Sequence, residues 1–421
     1  MPARRLRLAG PVLALLLTSP LACTDDDASS PTNSTPSTTT PTTEPARLDD
    51  GVLTVGLLLP MSGEGASIGQ GMADAATRAV EEINHASGVL GQPVRLVPAD
   101  EGSDPSSATD GINGLIAAGV DAVVGPASST VALATLDDLL SHGVLTCSPT
   151  ATSLALDEFP SSDLFFRTAP SDSLQADAIA QLAQQTGRSR AAVVFLDDRY
   201  GHPMAEAVVD ALGARALDVV REIPFASDDE SLVDEATELA NSAAEVVVVV
   251  GDGDHALRML TAIGETTGRF PEVDPPDIIV NDAVRRPPSP QLVQQLPNTI
   301  RERIQGVSLV ALPQFEAEPP GPFATNAYDC VNLIALSAVQ AGTDDPAQIA
   351  PRMTDASSDG QPCRDFESCV ELLRDARNID YEGPGGGVQI GGEGDPERAR
   401  FDVFEFDEDG RDVSTGRILS P

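Results

Sequence analysis

Residues 53–86 read LTVGLLLPMSGEGASIGQGMADAATRAVEEINHA, and this stretch decides the fold prediction. Residues 53–59 form an almost continuous apolar run, as expected for a strand buried on both faces. Pro60 ends the strand, and a turn rich in Ser and Gly follows over 62–71. Beyond the turn, apolar residues recur at steps of three and four opposite a charged face, which predicts an amphipathic helix. The stretch therefore predicts a strand–turn–helix unit.

The turn lies at the carboxyl end of a strand, where open α/β sheets bind ligands. An ordinary turn without a ligand would show the same pattern, so this stretch alone does not separate the two interpretations. A dinucleotide-binding loop fits less well, because Gly63 and Gly65 are not followed by a third glycine at the required spacing.

The same unit repeats along the chain. Further strands are predicted at 94–98, 122–124 and 144–147, and two of them end in turns rich in small and hydroxyl residues, 125–130 and 148–152. A second round of strands and helices begins near residue 165. Alternating strands and helices predict an α/β protein with parallel sheets, whose turns share one carboxyl edge.

The composition limits the possible partners. The chain has 421 residues, enough for two hydrophobic cores. Its 65 acidic residues outnumber 26 basic residues, giving a formal net charge of −39, and every basic side chain is arginine. Such a surface repels nucleic acid and anionic membranes, so neither is expected to bind it.

The first 50 residues predict export and anchoring. Residues 1–22 combine a basic start with an apolar core too short to span a bilayer, which is typical of a signal peptide. Cys23 follows a small residue, as at a bacterial lipoprotein cleavage site, although a plain secretory signal cut nearby remains the alternative. Residues 23–50, rich in Thr, Pro and Ser, predict a disordered tether. The expected location is the extracytoplasmic face of the membrane, with lipid attached to Cys23.

Four cysteines remain after Cys23, and an even number outside the cytoplasm suggests disulfides. Cys363 and Cys369 enclose a short loop and are predicted to pair. Whether Cys147 and Cys330 meet stays open from the sequence.

No catalytic motif is present in the sequence. The four histidines have no metal-ligand partner at useful spacing, and the metalloprotease, serine-hydrolase and phosphate-loop patterns are missing. We therefore expect a protein that is not an enzyme and uses no cofactor and no metal.

Residues 57–97, LLLPMSGEGASIGQGMADAATRAVEEINHASGVLGQPVRLV, resemble the opening of the type I periplasmic solute-binding proteins, the branched-chain amino acid receptors of ABC importers. Residues 380–387 resemble the closing motif of the same family, and the resemblance spans about 53–409. It implies two doubly wound, Rossmann-like lobes joined by three hinge crossings. Lobe I would comprise 51–167 and 305–378, and lobe II 168–304 and 379–421.

The resemblance also implies a ligand site between the lobes. Hydroxyls and backbone N–H groups of Ser129 and Thr152 would bind a carboxylate, and the carbonyls of Ala127 and Thr150 would face an ammonium group. The second lobe would add an acid and an aromatic wall, namely Asp282 and Tyr200. Taken singly, Ser and Thr at such turns are more often helix caps, and Asp282 could be a solvated loop acid.

Two positions depart from the family pattern. Ile68 and Gly253 stand where relatives often carry aromatic residues, so the resemblance does not fix a branched-chain ligand. The predicted function is an extracytoplasmic substrate-binding lipoprotein that captures an amino acid or related small solute by hinge closure and delivers it to ABC transporter permease subunits. A ligand-sensing receptor of the same fold is the alternative, and a secreted hydrolase-like enzyme is a weaker one.

Overall fold

The computed structural model describes residues 50–63, 65–157, 159, 163–251, 253–269, 275–285, 289–310, 323–384 and 386–421. The predicted signal peptide, Cys23 and the tether as far as residue 49 lie outside the described residues. Within the described ranges, no helix has both the length and the apolar character needed to cross a bilayer.

The first sheet is parallel and has the strand order β2-β1-β3-β4-β5. In chain order its elements are β1 (Thr54–Leu59), α1 (Ala66–His85), β2 (Arg95–Asp100), α2 (Pro105–Ala117), β3 (Ala122–Val124), α3 (Ser129–Ser141), β4 (Leu145–Ser148) and β5 (Phe165–Arg167). A short 3-10 helix, Leu154–Leu156, lies between β4 and β5. The predicted first strand and helix are therefore present.

The next elements build a second sheet. They are α4 (Asp172–Gln185), β6 (Arg190–Leu196), α5 (Gly201–Ala214), β7 (Asp218–Phe225), α6 (Val233–Asn241), β8 (Val246–Val250), α7 (Gly253–Arg269), β9 (Asp277–Val280), α8 (Ser289–Gln295), α9 (Asn298–Arg301) and β10 (Ile304–Leu309). A 3-10 helix, Asp282–Arg285, follows β9.

The last part of the chain adds helices to the first core, two strands to the second sheet and a small third sheet. It holds α10 (Ala324–Ala341), α11 (Pro346–Ala356), β11 (Gln361–Cys363), α12 (Phe366–Arg374), β12 (Ile379–Gly383), β13 (Gly386–Gly387), β14 (Phe401–Phe406) and β15 (Asp412–Leu419). Strands β14 and β15 join the second sheet in antiparallel fashion, giving the order β15-β14-β10-β9-β8-β6-β7. The third sheet has the strand order β11-β12-β13.

Each sheet has its own hydrophobic core. In the first, the apolar stripe of α1 (Met72, Ala76, Ala79 and Ile83) is fully buried and packs with α10. In the second, helices cover both faces of β6 and β8, whose Val-rich runs are buried throughout. This is the burial expected of parallel strands sandwiched between helices. The α/β fold with two doubly wound lobes is confirmed.

The chain passes between the two sheets three times, but two passes lie elsewhere than predicted. The first follows Arg167, the last residue of β5. The second follows β10 rather than residue 304, because β10 pairs with β9 and β14. The third follows residue 390 rather than 378, because Ile379 and Ile390 pack in the first core. We propose that lobe I comprises 51–167 and 323–390, and lobe II 168–310 and 391–421.

Two disulfides stabilise lobe I. Cys363 and Cys369 are bonded, as predicted, with 5.3 Å between their Cα atoms. Cys147 and Cys330, whose pairing the sequence left open, are also bonded, with 5.8 Å between their Cα atoms. The second bond joins β4 to α10, and its Cys147 directly precedes Ser148, where the turn begins.

Candidate functional site

Two turns at the carboxyl edge of the first sheet lie against each other. Residues 125–128 follow β3, and residues 149–153 follow β4. The Ser148 hydroxyl donates to the Pro126 carbonyl (2.6 Å), and the Thr150 hydroxyl donates to the Ala127 carbonyl. These bonds bring Ala127 and Thr150 together and leave the second lone pair of the Ala127 carbonyl for another donor.

The helix-capping alternative for Ser129 does not hold, because its neighbour performs that role. The Ser128 hydroxyl accepts from the Val131 amide (3.4 Å) and caps α3. Ser129 is the first residue of α3, and its hydroxyl accepts from the Ser153 amide (3.3 Å). Ser129 thereby lies beside the turn that carries Thr152, and both are only partly buried. The helix N-terminus at this point favours a bound anion.

A buried acid that the sequence reasoning missed stabilises the first turn. Glu101 directly follows β2, is 0% exposed, and accepts from the amides of Ala127 (2.6 Å) and Ser128 (2.7 Å). Burial raises the pKa of the Glu101 carboxyl to about 7, although the two N–H donors oppose the rise. Glu101 fixes the backbone from which Ser129 projects.

A second missed acid lies at the other turn. Asp172 begins α4 and is 5% exposed, and its amide donates to the Thr152 carbonyl (2.9 Å). Burial raises the pKa of its carboxyl to about 8, and the negative charge of Asp282 adds to the rise. The Thr152 hydroxyl and the Arg167 guanidinium oppose it. Asp172 therefore lies beside the Thr152 turn, and the negative charge of Asp282, the predicted lobe II acid, acts on its carboxyl group.

The predicted aromatic residue, Tyr200, is held by a hydrogen bond within lobe II. Asn281 lies between β9 and Asp282, is 0% exposed, and donates through Nδ2 to the Tyr200 hydroxyl (3.0 Å). Its Oδ1 atom is buried and has no hydrogen-bond partner among the described residues. Tyr200 immediately precedes α5. The structure thus links Tyr200 to the segment that carries Asp282.

The described residues provide no metal site. No group of three His, Cys, Asp or Glu side chains in the described ranges could hold a metal ion. Of the two positions that depart from the family pattern, Ile68 packs against the first core, and Gly253 begins α7.

The site combines complementary polar groups. Two partly buried hydroxyl residues and a helix N-terminus lie on the lobe I side, and these suit a carboxylate. Asp172 and Asp282 supply carboxyl groups that suit an ammonium group. A small zwitterion satisfies both sets at once. The fold and this site define a solute-binding protein with two lobes.

Comparison with known proteins identifies the family. Residues 52–272 match the family model described as periplasmic binding protein, which is more than half of the chain. The chain therefore belongs to the periplasmic binding protein family. Members of this family bind solutes and do not catalyse reactions, which agrees with the prediction that the protein is not an enzyme.

Relatives of similar length extend this result. The chain is 28% identical over 359 residues to the chemotactic signal transduction system substrate-binding protein BasB of Halobacterium salinarum, covering 80% of this chain and 83% of that protein. It is 26% identical over 383 residues to the Leu/Ile/Val-binding protein homolog 3 of Brucella melitensis, covering 85% and 92%.

Solved structures show the same fold. The ABC transporter substrate-binding protein from Desulfitobacterium hafniense, in complex with Leu, has a TM-score of 0.66 at 20% identity and covers 86% of this chain and 99% of its own. The branched-chain amino acid transporter substrate-binding protein LivJ from Streptococcus pneumoniae, in complex with isoleucine, has a TM-score of 0.64 at 20% identity and covers 88% and 100%. The type I fold is therefore confirmed.

Proposed function

We propose that the protein captures an α-amino acid between its two lobes, with aliphatic amino acids as the first candidates. The observation that carries this proposal is the convergence of Ser129 and Thr152 with the two acids Asp172 and Asp282. A carboxylate would bind at the hydroxyls and the N-terminus of α3, and the ammonium group would lie between the acids. The names of the Brucella and Streptococcus relatives support an aliphatic side chain.

Binding would proceed by hinge closure. The carboxylate first meets the lobe I turns, which Glu101 and the Cys147–Cys330 bond hold in place. The bound ammonium group then pairs with the Asp282 carboxylate, while Asp172, whose pKa is raised to about 8, offers a carboxyl oxygen as an acceptor. Because Ser129 and Thr152 belong to lobe I and Asp282 belongs to lobe II, a ligand that contacts all three stabilises the closed arrangement more than the open one.

We further propose that the closed form is recognised by ABC transporter permease subunits, with the protein anchored through a lipid on Cys23. The second candidate function is sensing, in which the closed form is passed to a signalling partner. The observation in its favour is the Halobacterium relative, which is named for a chemotactic signal transduction system. A permease that binds the ligand-loaded protein in a pull-down supports transport, whereas binding to a receptor alone supports sensing.

The variants Ser129→Ala and Thr152→Ala are each expected to weaken L-leucine binding by about 1–3 kcal/mol, because a charged carboxylate loses a hydrogen-bonding partner. Isothermal titration calorimetry measures the change. Ser128→Ala is the matched control, because its hydroxyl caps α3. It should lower the free energy of unfolding by about 1 kcal/mol and leave affinity unchanged. Unaltered affinity in both test variants would contradict the proposed carboxylate site.

The variant Asp282→Asn is expected to discriminate between ligands. It should weaken L-leucine binding about tenfold or more, because a charge-assisted contact to the ammonium group contributes roughly 1.5–3 kcal/mol. The corresponding 2-keto acid, which lacks that group, should lose little affinity. Asp254→Asn, at an exposed acid in the first turn of α7, is the control. Equal losses for leucine and the keto acid would argue against an ammonium contact.

A further inference from the structure

Arg167 is a buried cation at the first crossing between the lobes. It is the last residue of β5 and is 0% exposed. Its guanidinium donates to Asp157 (2.6 Å) and makes two bonds of 2.5 Å to the carboxylate oxygens of Asp395. Such bidentate pairing fixes geometry as well as charge. The two acids compensate the cost of burying the guanidinium.

The same guanidinium contacts the ligand-binding turn. Its NH1 group donates to the carbonyls of Ala151 and Ser153, at 3.3 Å each. These two residues flank Thr152, and the Thr152 carbonyl accepts from the Asp172 amide. The backbone of the turn is therefore held by Arg167 on both sides of the residue that is proposed to bind the carboxylate.

Asp395 belongs to a different part of the chain, the third crossing at 391–400. The Arg167 amide also donates to the Gly394 carbonyl (2.9 Å), so backbone and side chain both connect the first and third crossings. Gly394 adopts a φ of +86°, and a Cβ atom there would lie 2.2 Å from the Phe165 carbonyl oxygen. The third crossing is therefore closely packed against β5 and cannot move independently of it.

We propose that Arg167 is a positioning residue that couples the Thr152 turn to the third crossing through Asp395. Ligand binding at Thr152 and the closed arrangement of that crossing then stabilise each other. The inference rests on the proposed function only for its ligand-binding consequence, because the coupling itself is a property of the ligand-free protein.

The test compares Asp395→Asn with Asp177→Asn. The second variant disrupts a similar bidentate pair between Asp177 and Arg215, which links α4 and α5 within lobe II. Hydrogen exchange in the ligand-free protein is measured first. Asp395→Asn should raise the exchange rates of the Ser153 and Asp172 amides, whose acceptors lie at the ligand-binding turns. Asp177→Asn should leave both rates unchanged.

Ligand binding is measured next, with L-leucine as the probe. Asp395→Asn should raise the dissociation constant about tenfold, within the range typical of coupled sites. In a double-mutant cycle, Thr152→Ala should have at least a fivefold smaller effect in the Asp395→Asn background, because the coupling has already been removed. The cycle with Asp177→Asn should be additive. If Asp395→Asn fails to fold, Arg167→Lys is used in its place. Lysine keeps the charge but cannot contact both acids and both carbonyls at once, so Arg167→Lys should show the same changes in exchange rate and affinity.

The outcomes separate this inference from the proposed function. Unchanged exchange rates in Asp395→Asn, or an additive cycle with Thr152→Ala, would overturn the coupling even if the natural protein binds leucine tightly. A natural protein that binds no amino acid would contradict the proposed function, while faster exchange at Ser153 and Asp172 would still support the coupling.

Discussion

Replacing Cys147 and Cys330 together with alanine is expected to lower the free energy of unfolding by about 5 kcal/mol. The bond joins residues 183 positions apart, and closing a loop of that length removes a large amount of entropy from the unfolded chain. Both cysteines are also fully buried, so truncation leaves a cavity in the core beside α10. Unfolding in guanidinium chloride measures the change.

The second disulfide provides the matched comparison. Cys363 and Cys369 are separated by 6 positions, and the same entropy relation gives only about 2 kcal/mol for their replacement by alanine. The Cys147–Cys330 variant should also bind leucine less tightly, because the bond lies beneath the turn that carries Thr152. Equal losses of stability in the two double variants would contradict the explanation from loop length.

The variant Asp172→Asn is expected to be more stable than the natural protein at pH 8, with the difference disappearing near pH 4. The pKa of the Asp172 carboxyl is raised to about 8 in the folded protein by burial and by Asp282, whereas an unfolded chain has its ordinary value near 3.9. The folded protein therefore retains a proton that the unfolded chain has released. Its stabilising effect is complete below about pH 4 and is lost as the pH rises through about 8, at up to about 1.4 kcal/mol per pH unit.

Asparagine is neutral at every pH and nearly isosteric with the protonated acid, so the variant lacks this dependence. Denaturant unfolding at pH 4, 6 and 8 measures it. Glu101, whose pKa is also raised by burial, to about 7, changes stability in the same direction in both proteins and cancels in the difference. A difference in stability that is constant across the three pH values would show that Asp172 does not hold a proton in the folded protein.

The sequence predicted the elements whose pattern is local. The run at 53–59 became β1, and the helical pattern after it became α1, because both combine a strong period with a clear start and end. It did not predict β15, Asp412–Leu419. This antiparallel edge strand is mostly exposed and alternates weakly. Its conformation depends on pairing with β14, which local pattern does not reveal.

The crossings between the lobes also depend on contacts that local sequence pattern does not reveal. The strand at 304–309 was recognised, but its place in the second sheet depends on contacts with β9 and β14. Likewise, Ile379 and Tyr381 alternate with polar residues as any strand would, and only the packed structure shows that they lie in the first core. The lobe boundaries predicted from the sequence therefore differ by several residues from those that strand pairing and core packing support.

At the site, the hydroxyl turns were identifiable from their position at strand ends, whereas the buried acids were not. Asp172 looks like an ordinary acid in the first turn of a helix, and its burial comes with its position beside the Thr152 turn, which is distant in sequence. Glu101 directly follows a strand, which was the one available signal. Arg167 likewise acquires its role from Asp395, which is 228 positions away in the chain.

The most direct test of amino acid binding between the lobes is a thermal-shift titration of a soluble form beginning at residue 50. At a concentration one hundred times its dissociation constant, a ligand should add about 2.7 kcal/mol of stability. The proposed amino acid site predicts a clear rise in melting temperature with L-leucine or another aliphatic α-amino acid, and little change with the matching 2-keto acid or amine at the same concentration. No rise with any amino acid, or an equal rise with the keto acid and the amine, would contradict it.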